Sequence, residues 1–222
     1  VLAGPLDATL AHLGELATLP PGPCRLIVDV ASVKEPVSLA ARGVRGFVAT
    51  HPIAGSERSG PAAARADLFA RRTWTIDADA PPSARAAARA LIESLGARPL
   101  EIASSEHDRT IALTSHLPQL VSVALGSQLD ARLGDAHVPE LCGSGIRSLL
   151  RLGGSSWEMW RAVLDANAVS IAQEVRRLAA ILTEAAESLE THGVDALAAR
   201  FASANSAVAR LGAPPIDQKE PS

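Results

Sequence analysis

The chain has 222 residues, 47% of them hydrophobic, and a formal net charge of −3. Such a composition can bury one large core or two modest ones and excludes disorder for the bulk of the chain. The basic residues are almost all Arg, scattered singly through Ala-rich and Leu-rich stretches, which argues against a nucleic-acid partner. Cys24 and Cys142 show no Cys-x-x-Cys spacing and no His cluster stands at ligand spacing, so neither a disulfide framework nor a metal site is indicated. A reducing cytoplasm fits that usage. No segment approaches the roughly 18 apolar residues of a membrane span, and no secretory signal opens the chain.

From residue 1 to 103 the pattern alternates. Val1-Leu2-Ala3-Gly4-Pro5 reads as the end of a strand entering a loop, as though the chain began inside a domain. Leu10, Leu13, Leu16 and Leu19 mark a helical face over 7–19, closed by Pro20-Pro21-Gly22-Pro23. Arg25 to Val30 reads as a buried strand, and Ser32-Val33-Lys34-Glu35 as a capping box opening a short helix with Pro36 in its first turn. Val44 to Ala49 is a second buried strand, Thr73 to Ile76 a third and Arg98 to Ile102 the last, with a helix over 83–95 ended by Gly96. Strands joined by helices at this spacing predict parallel pairing in a doubly wound sheet.

After Ser104 the strand signals stop. Residues 104–133, 146–152 and 155–192 carry helical periodicity, the last opened by a second capping box, Ser155-Ser156-Trp157-Glu158. Nearly forty helical residues would span roughly 55 Å, a length that predicts packing against another subunit. The expected division is therefore 1–103, an alternating α/β domain; 104–213, an all-helical domain; and 214–222, a Pro-rich, charged and disordered tail.

His51 stands at the carboxyl end of the second strand, followed by Pro52-Ile53-Ala54-Gly55-Ser56-Glu57-Arg58-Ser59-Gly60. Ligands bind at that end of the strands in open α/β sheets, so the position suits proton chemistry. A histidine that only caps the strand is the other reading of the spacing. The His51 to Gly60 stretch, with Asp29-Val30-Ala31-Ser32-Val33-Lys34 before it and Ser115-His116-Leu117-Pro118 after it, resembles the prephenate/arogenate dehydrogenase family. The three motifs stand in the family's order, and the likeness covers the chain to about residue 190.

The resemblance implies the C-terminal part of a doubly wound, Rossmann-like parallel sheet followed by a helical dimerisation domain in a homodimer. It also implies NAD or NADP as cofactor and oxidative decarboxylation of prephenate to 4-hydroxyphenylpyruvate in tyrosine biosynthesis. His51 matches the family's catalytic histidine, a general base, and Ser32 the hydroxyl near the nicotinamide; by spacing alone Ser32 is a helix N-cap. The implied cofactor contacts are Ala3, Pro5, Ser32 and Val33. On the substrate side stand Ser115, His116, Gln119, Arg147, Arg151 and Trp160, with Arg151 as carboxylate clamp in a segment, 142–151, resembling the family's Gly-x-Gly-x-Arg-Asp-x-x-Arg. For His116 and Trp160 a core role, and for Arg151 a surface role, fit the residues equally. Glu57 and Arg58 read as a solvated loop pair.

Two departures matter: Gln119 replaces a second histidine and Ser148 the acidic residue. Arogenate carries an ammonium where prephenate carries a keto group, so Gln119 in place of an acid favours prephenate, with arogenate dehydrogenase the alternative. No Gly-x-Gly-x-x-Gly follows a strand, so the resemblance puts the cofactor loop before Val1. The chain as it stands is expected not to turn over prephenate or hold the dinucleotide usefully, which leaves a non-catalytic helical dimer as the rival from another class.

Overall fold

The computed structural model describes residues 1–20, 22, 25–55, 64–191 and 193–212. Cys24, the Glu57 and Arg58 pair, the distal end of the His51 motif, His192 and the tail from Pro214 lie outside the described residues. The chain divides into two compact units, Val1–Glu174 and Val175–Ser222.

In the first unit, β1 (Ile27–Val28) pairs in parallel with β2 (Phe47–Val48), and Leu2 bridges in parallel to Asp29 on the other side. The same segment continues as β3 (Thr50–Pro52), whose other edge runs antiparallel to β4 (Thr73–Asp77), with His51 opposite Thr75. β4 then pairs in parallel with β5 (Arg98–Ile102). The antiparallel β3–β4 pair corrects the expectation of parallel pairing throughout. A parallel partner needs a crossover, usually helical, and no helix stands among the described residues between Pro52 and Thr73.

Helices cover both faces, and the strand alternation decides which. Phe47 and Ala49 face a cluster with Leu6 and Leu13 of α1 (Leu6–Thr18) and Val37 of α2 (Glu35–Ala40). Val28 and Val48 face the opposite cluster, with Trp74, Ile76 and the Ala84, Ala88, Ile92 stripe of α3 (Pro82–Ser94). Each fully buried side chain such as Leu13 or Ile92 contributes about 1.5–3 kcal/mol. Leu19, expected on the α1 face, lies past the helix end and is exposed. Gly96 takes φ 71° after α3, the left-handed conformation that lets the chain turn straight into β5.

The expected cap of α2 is replaced. Ser32 does not cap it; Lys34 holds the N-cap position without a side-chain cap bond. The Asp108 carboxylate, 74 residues away, accepts the backbone N–H of Lys34 at 2.7 Å and that of Glu35 at 2.8 Å. An ionisable acceptor at a helix N-terminus does what a local hydroxyl would have done, and more strongly.

Asp108 lies on α4 (Ser104–Ile111), which runs through a π turn, Ala112–His116, into α5 (Leu117–Asp130). Pro118 explains the widened turn, since its ring has no N–H for the Thr114 carbonyl and crowds it. After α6 (Ser144–Leu150), a 3₁₀ turn, Arg151–Gly154, presses on α5. A Cβ at Gly153 would come within 3.1 Å of Ser122 Oγ, so any larger residue would have to push Ser122 aside.

The single helix expected over 155–192 is two. α7 (Trp157–Ala166) is capped by Ser156, not Ser155, whose hydroxyl accepts the Met159 N–H at 3.3 Å, and α8 (Ala168–Thr191) follows. The break is at Asn167, φ −122° and ψ 24°, whose buried amide donates to Asp108 O at 2.8 Å. That long-range bond holds the residue out of helical geometry. α8 by itself spans about 36 Å. In the second unit, the distal part of α8 is followed by a 3₁₀ turn, Val194–Leu197, and α9 (Ala198–Leu211), whose Arg200 pairs with Glu184. No helix among the described residues is long and apolar enough to cross a membrane.

Candidate active site

The site grows from Asp29, at the end of β1 and fully buried. One carboxylate oxygen accepts the Thr50 N–H at 2.9 Å; the other accepts the Ala31 N–H at 3.0 Å and pairs with Lys34 Nζ. Lys34, only 2% exposed, also donates to Thr50 O at 2.7 Å. Burial lowers the Lys34 ammonium below its ordinary range, and Asp29 is the main opposing influence. The two charges thus clamp β3 to β1 at the residue before His51.

His51 is held from the other side by α4. Its Nδ1 lies 3.0 Å from His107 Nε2, with the rings edge to face, and His107 Nδ1 lies 2.7 Å from Asp108 Oδ1. Burial first, then the neighbouring His107, Lys34 and His116, push the His51 pKa down to about 3, so its ring is neutral at ordinary pH. A third histidine joins through Asn167, whose amide N–H₂ faces His116 Nδ1 at 3.3 Å. Burial also brings His116 down to about 4, against the pull of Asp108, and its ring stands edge-on to Trp160, with centroids 5.8 Å apart.

His51, Ser32, Ala3 and Pro5 line one cleft of about 980 Å³, whose further wall is Ser156, Glu158 and Met159 of the α7 turn. Val33, expected beside them, is fully buried in the α1–α2 cluster and does not line the cleft. The substrate-side candidates are dispersed. Arg151 lines a second cleft of about 300 Å³ with Pro118 and Ser148, and His51 does not line it. Ser115 is exposed, and the exposed Arg147 donates to Cys142 O at 3.1 Å. Gln119 is buried and engaged at both ends of its amide, donating to Leu152 O at 2.9 Å and accepting from Ser155 Oγ at 3.5 Å. Trp160 Nε1 is buried with no hydrogen-bond partner.

His107, Asp108 and Asn167 are the residues that the sequence reading missed. The available signal was a His-Asp pair opening the helix directly after β5, at the strand end where ligands bind. Among the described residues no group of three His, Cys, Asp or Glu side chains could hold a metal ion.

The prephenate dehydrogenase nucleotide-binding domain matches residues 1–101, and the prephenate dehydrogenase dimerization domain matches residues 103–203. A probable prephenate dehydrogenase, NovF, of Streptomyces niveus is 35% identical over 175 residues, covering 76% of this chain and 48% of that protein. The chain spans about half the length of the curated relatives it matches. Among solved structures, Synechocystis arogenate dehydrogenase superposes with a TM-score of 0.79 at 25% identity, covering 95% of this chain and 78% of that one. Prephenate dehydrogenase of Aquifex aeolicus, solved with hydroxyphenyl propionate and NAD+, shares the fold with a TM-score of 0.80 at 21% identity, covering 93% of this chain and 75% of that one. With both domains matched in the order in which the sheet and the helices occur, this chain belongs to the prephenate dehydrogenase family.

Proposed function

We propose that this chain carries the reacting end of an NAD(P)-dependent prephenate dehydrogenase, which converts prephenate to 4-hydroxyphenylpyruvate, carbon dioxide and reduced nicotinamide. The observation that carries the reading is His51: neutral, ring-locked by His107, and at the edge of the cleft that Ser32, Ala3 and Pro5 also line. The cleft suits a nicotinamide ring, with apolar walls from Ala3, Pro5, Val30 and Met159 and a hydroxyl from Ser32. Among the described residues no Lys or Arg side chain lines it, so these walls supply no cation for a pyrophosphate. When bound, the nicotinamide accepts the hydride from the substrate ring. His51 takes the proton of the ring hydroxyl as that hydride leaves, and Ser32 orients the hydroxyl beside it. Loss of the ring carboxylate as carbon dioxide then makes the ring aromatic.

We place the domain boundary at 103/104, where β5 passes into α4, and assign residues 104–213 to substrate binding and dimerisation.

Arogenate is the second reading, favoured by one feature: Glu158 puts a carboxylate in the lining of the His51 cleft, where it suits an ammonium. Reduction of NAD and of NADP with each substrate, by this chain joined to a dinucleotide-binding loop, is the test, and prephenate is expected to turn over faster. Faster arogenate turnover, lost selectively in Glu158→Gln, would favour the second reading; no turnover of either leaves a non-catalytic assembly module. In the same assay, Arg151→Gln should raise KM more than it lowers kcat, as expected of a carboxylate contact made equally in ground and transition states. An unchanged KM with lowered stability makes Arg151 structural.

The same reading makes the protein a homodimer. Trp157, Met159 and Val169, close together in sequence on α7 and the start of α8, are between 59% and 74% exposed, large apolar side chains that a second copy would cover. Sedimentation should show a dimer, with a buried area above about 2,000 Å². A monomer at micromolar concentration contradicts it.

A further inference from the structure

We propose that Asp108 and His107 are positioning residues that set the tautomer of His51, so that its Nε2 lone pair is the atom offered to the cleft. The inference rests on the proposed function only for its purpose; the tautomer itself follows from the hydrogen bonds. The Asp108 carboxylate accepts two backbone N–H groups, from Lys34 and Glu35, at 2.7 and 2.8 Å. Its third contact, His107 Nδ1 at 2.7 Å, must therefore bring a proton to it, since a carboxylate has none to give. With Nδ1–H committed, a His107 ring that carries a single proton has only a lone pair at Nε2. The 3.0 Å contact to His51 then requires His51 Nδ1 to donate. One proton per neutral ring leaves His51 Nε2 bare.

The geometry restricts the alternatives. His107 and Asp108 are each only 2% exposed, so water cannot substitute for either partner. The Asp108 backbone is held as well, its carbonyl accepting from Asn167 at 2.8 Å. The carboxylate that orders the two histidines also caps α2, whose N-cap residue, Lys34, pairs with Asp29. One side chain thus ties the entry of α2 to the protonation pattern at His51. Residues 51 and 107 fall in different family domains, 1–101 and 103–203, and neither alone specifies which nitrogen faces the cleft.

Long-range ¹H–¹⁵N correlation of the imidazole rings at neutral pH, without substrate, tests this directly. In the unmodified protein, His51 should show a protonated Nδ1 and an unprotonated Nε2, and His107 the same pattern. In Asp108→Ala, His107 Nδ1 loses its acceptor oxygen, nothing then fixes which His107 nitrogen carries the proton, and the His51 proton should be shared between Nδ1 and Nε2. His107→Gln keeps an acceptor oxygen for His51 Nδ1–H and should retain the original His51 pattern. On the proposed reaction, Asp108→Ala should then lower kcat by roughly tenfold to a thousandfold at nearly constant KM, with His107→Gln closer to the unmodified enzyme.

A His51 protonated at Nε2 in the unmodified protein overturns the inference, as does a doubly protonated His107. A His51 pattern unchanged in folded Asp108→Ala, which offers His107 Nδ1 no oxygen, overturns it equally. If Asp108→Ala does not fold, the unmodified spectrum and His107→Gln still decide. The tautomer is read without turnover, so a protein with the expected pattern but no dehydrogenase activity would count against the proposed function alone.

Discussion

In a protein that joins this chain to a dinucleotide-binding loop, replacing His51 by Asn should lower kcat for NAD(P)-linked oxidation of prephenate by something on the order of 10² to 10⁴, with KM within a few-fold. Asn can keep a donor toward His107, where Nδ1 now lies at 3.0 Å, but it has no basic atom where Nε2 stands. The loss therefore falls on the step that moves the proton and spares binding. The pH profile gives a second readout. Because burial and the neighbouring His107, Lys34 and His116 bring the His51 pKa down to about 3, its neutral form persists far below the ordinary value of 6.5. The acid limb that His51 contributes to kcat/KM, which reports the free site, should accordingly lie well below pH 6. An unchanged kcat in His51→Asn removes the residue from the mechanism, and an acid limb near 6.5 that disappears in this variant would show His51 to be far better solvated than its packing implies.

The largest stability effect is expected at Lys34. Lys34→Met removes the cation paired with Asp29, whose carboxylate is fully buried and keeps the Thr50 and Ala31 N–H groups among the described residues. It also strips a donor from Thr50 O. Breaking one side of a buried pair typically costs about 3–5 kcal/mol, because the remaining charge stays desolvated. Domains of this kind have only about 5–15 kcal/mol of total stability, so the variant should unfold at much lower denaturant. The double variant Asp29→Asn, Lys34→Met should recover much of the loss, since no lone charge remains. If Lys34→Met costs less than about 1 kcal/mol, the pair is hydrated in solution and does not hold β3 against β1.

How much of this was legible follows from the range of the interactions. The buried strands around residues 27 and 47, the α3 stripe and the turn at Gly96 are local patterns, set by which side chains repeat every two or every three to four residues. The motif from Asp29 to Lys34 was legible as a contiguous stretch that resembles the family, whereas the ion pair that closes it over five residues emerged only in the structure. The cap of α2 was misread because Ser32 offers a plausible local hydroxyl, while the acceptor in place comes from Asp108. The break at Asn167 was invisible for the same reason. Alanines and leucines continue the helical period through it, and only a bond to a carbonyl 59 residues away takes the residue out of the helix.

The sequence by itself determined the family, the succession of alternating elements and then helices, and the position of His51 beyond a buried strand, because these rest on local periodicity and on short contiguous motifs. The tertiary structure decided what His51 faces. Its partners His107 and Asp108 arrive from a helix more than fifty residues away, and burial among them removes the water that would otherwise leave either ring nitrogen free to carry the proton. It also decided that Gln119 is spent on Leu152 and Ser155, and that Arg151 opens on a different cleft. Directions of side chains on packed helices depend on neighbours that no local pattern names.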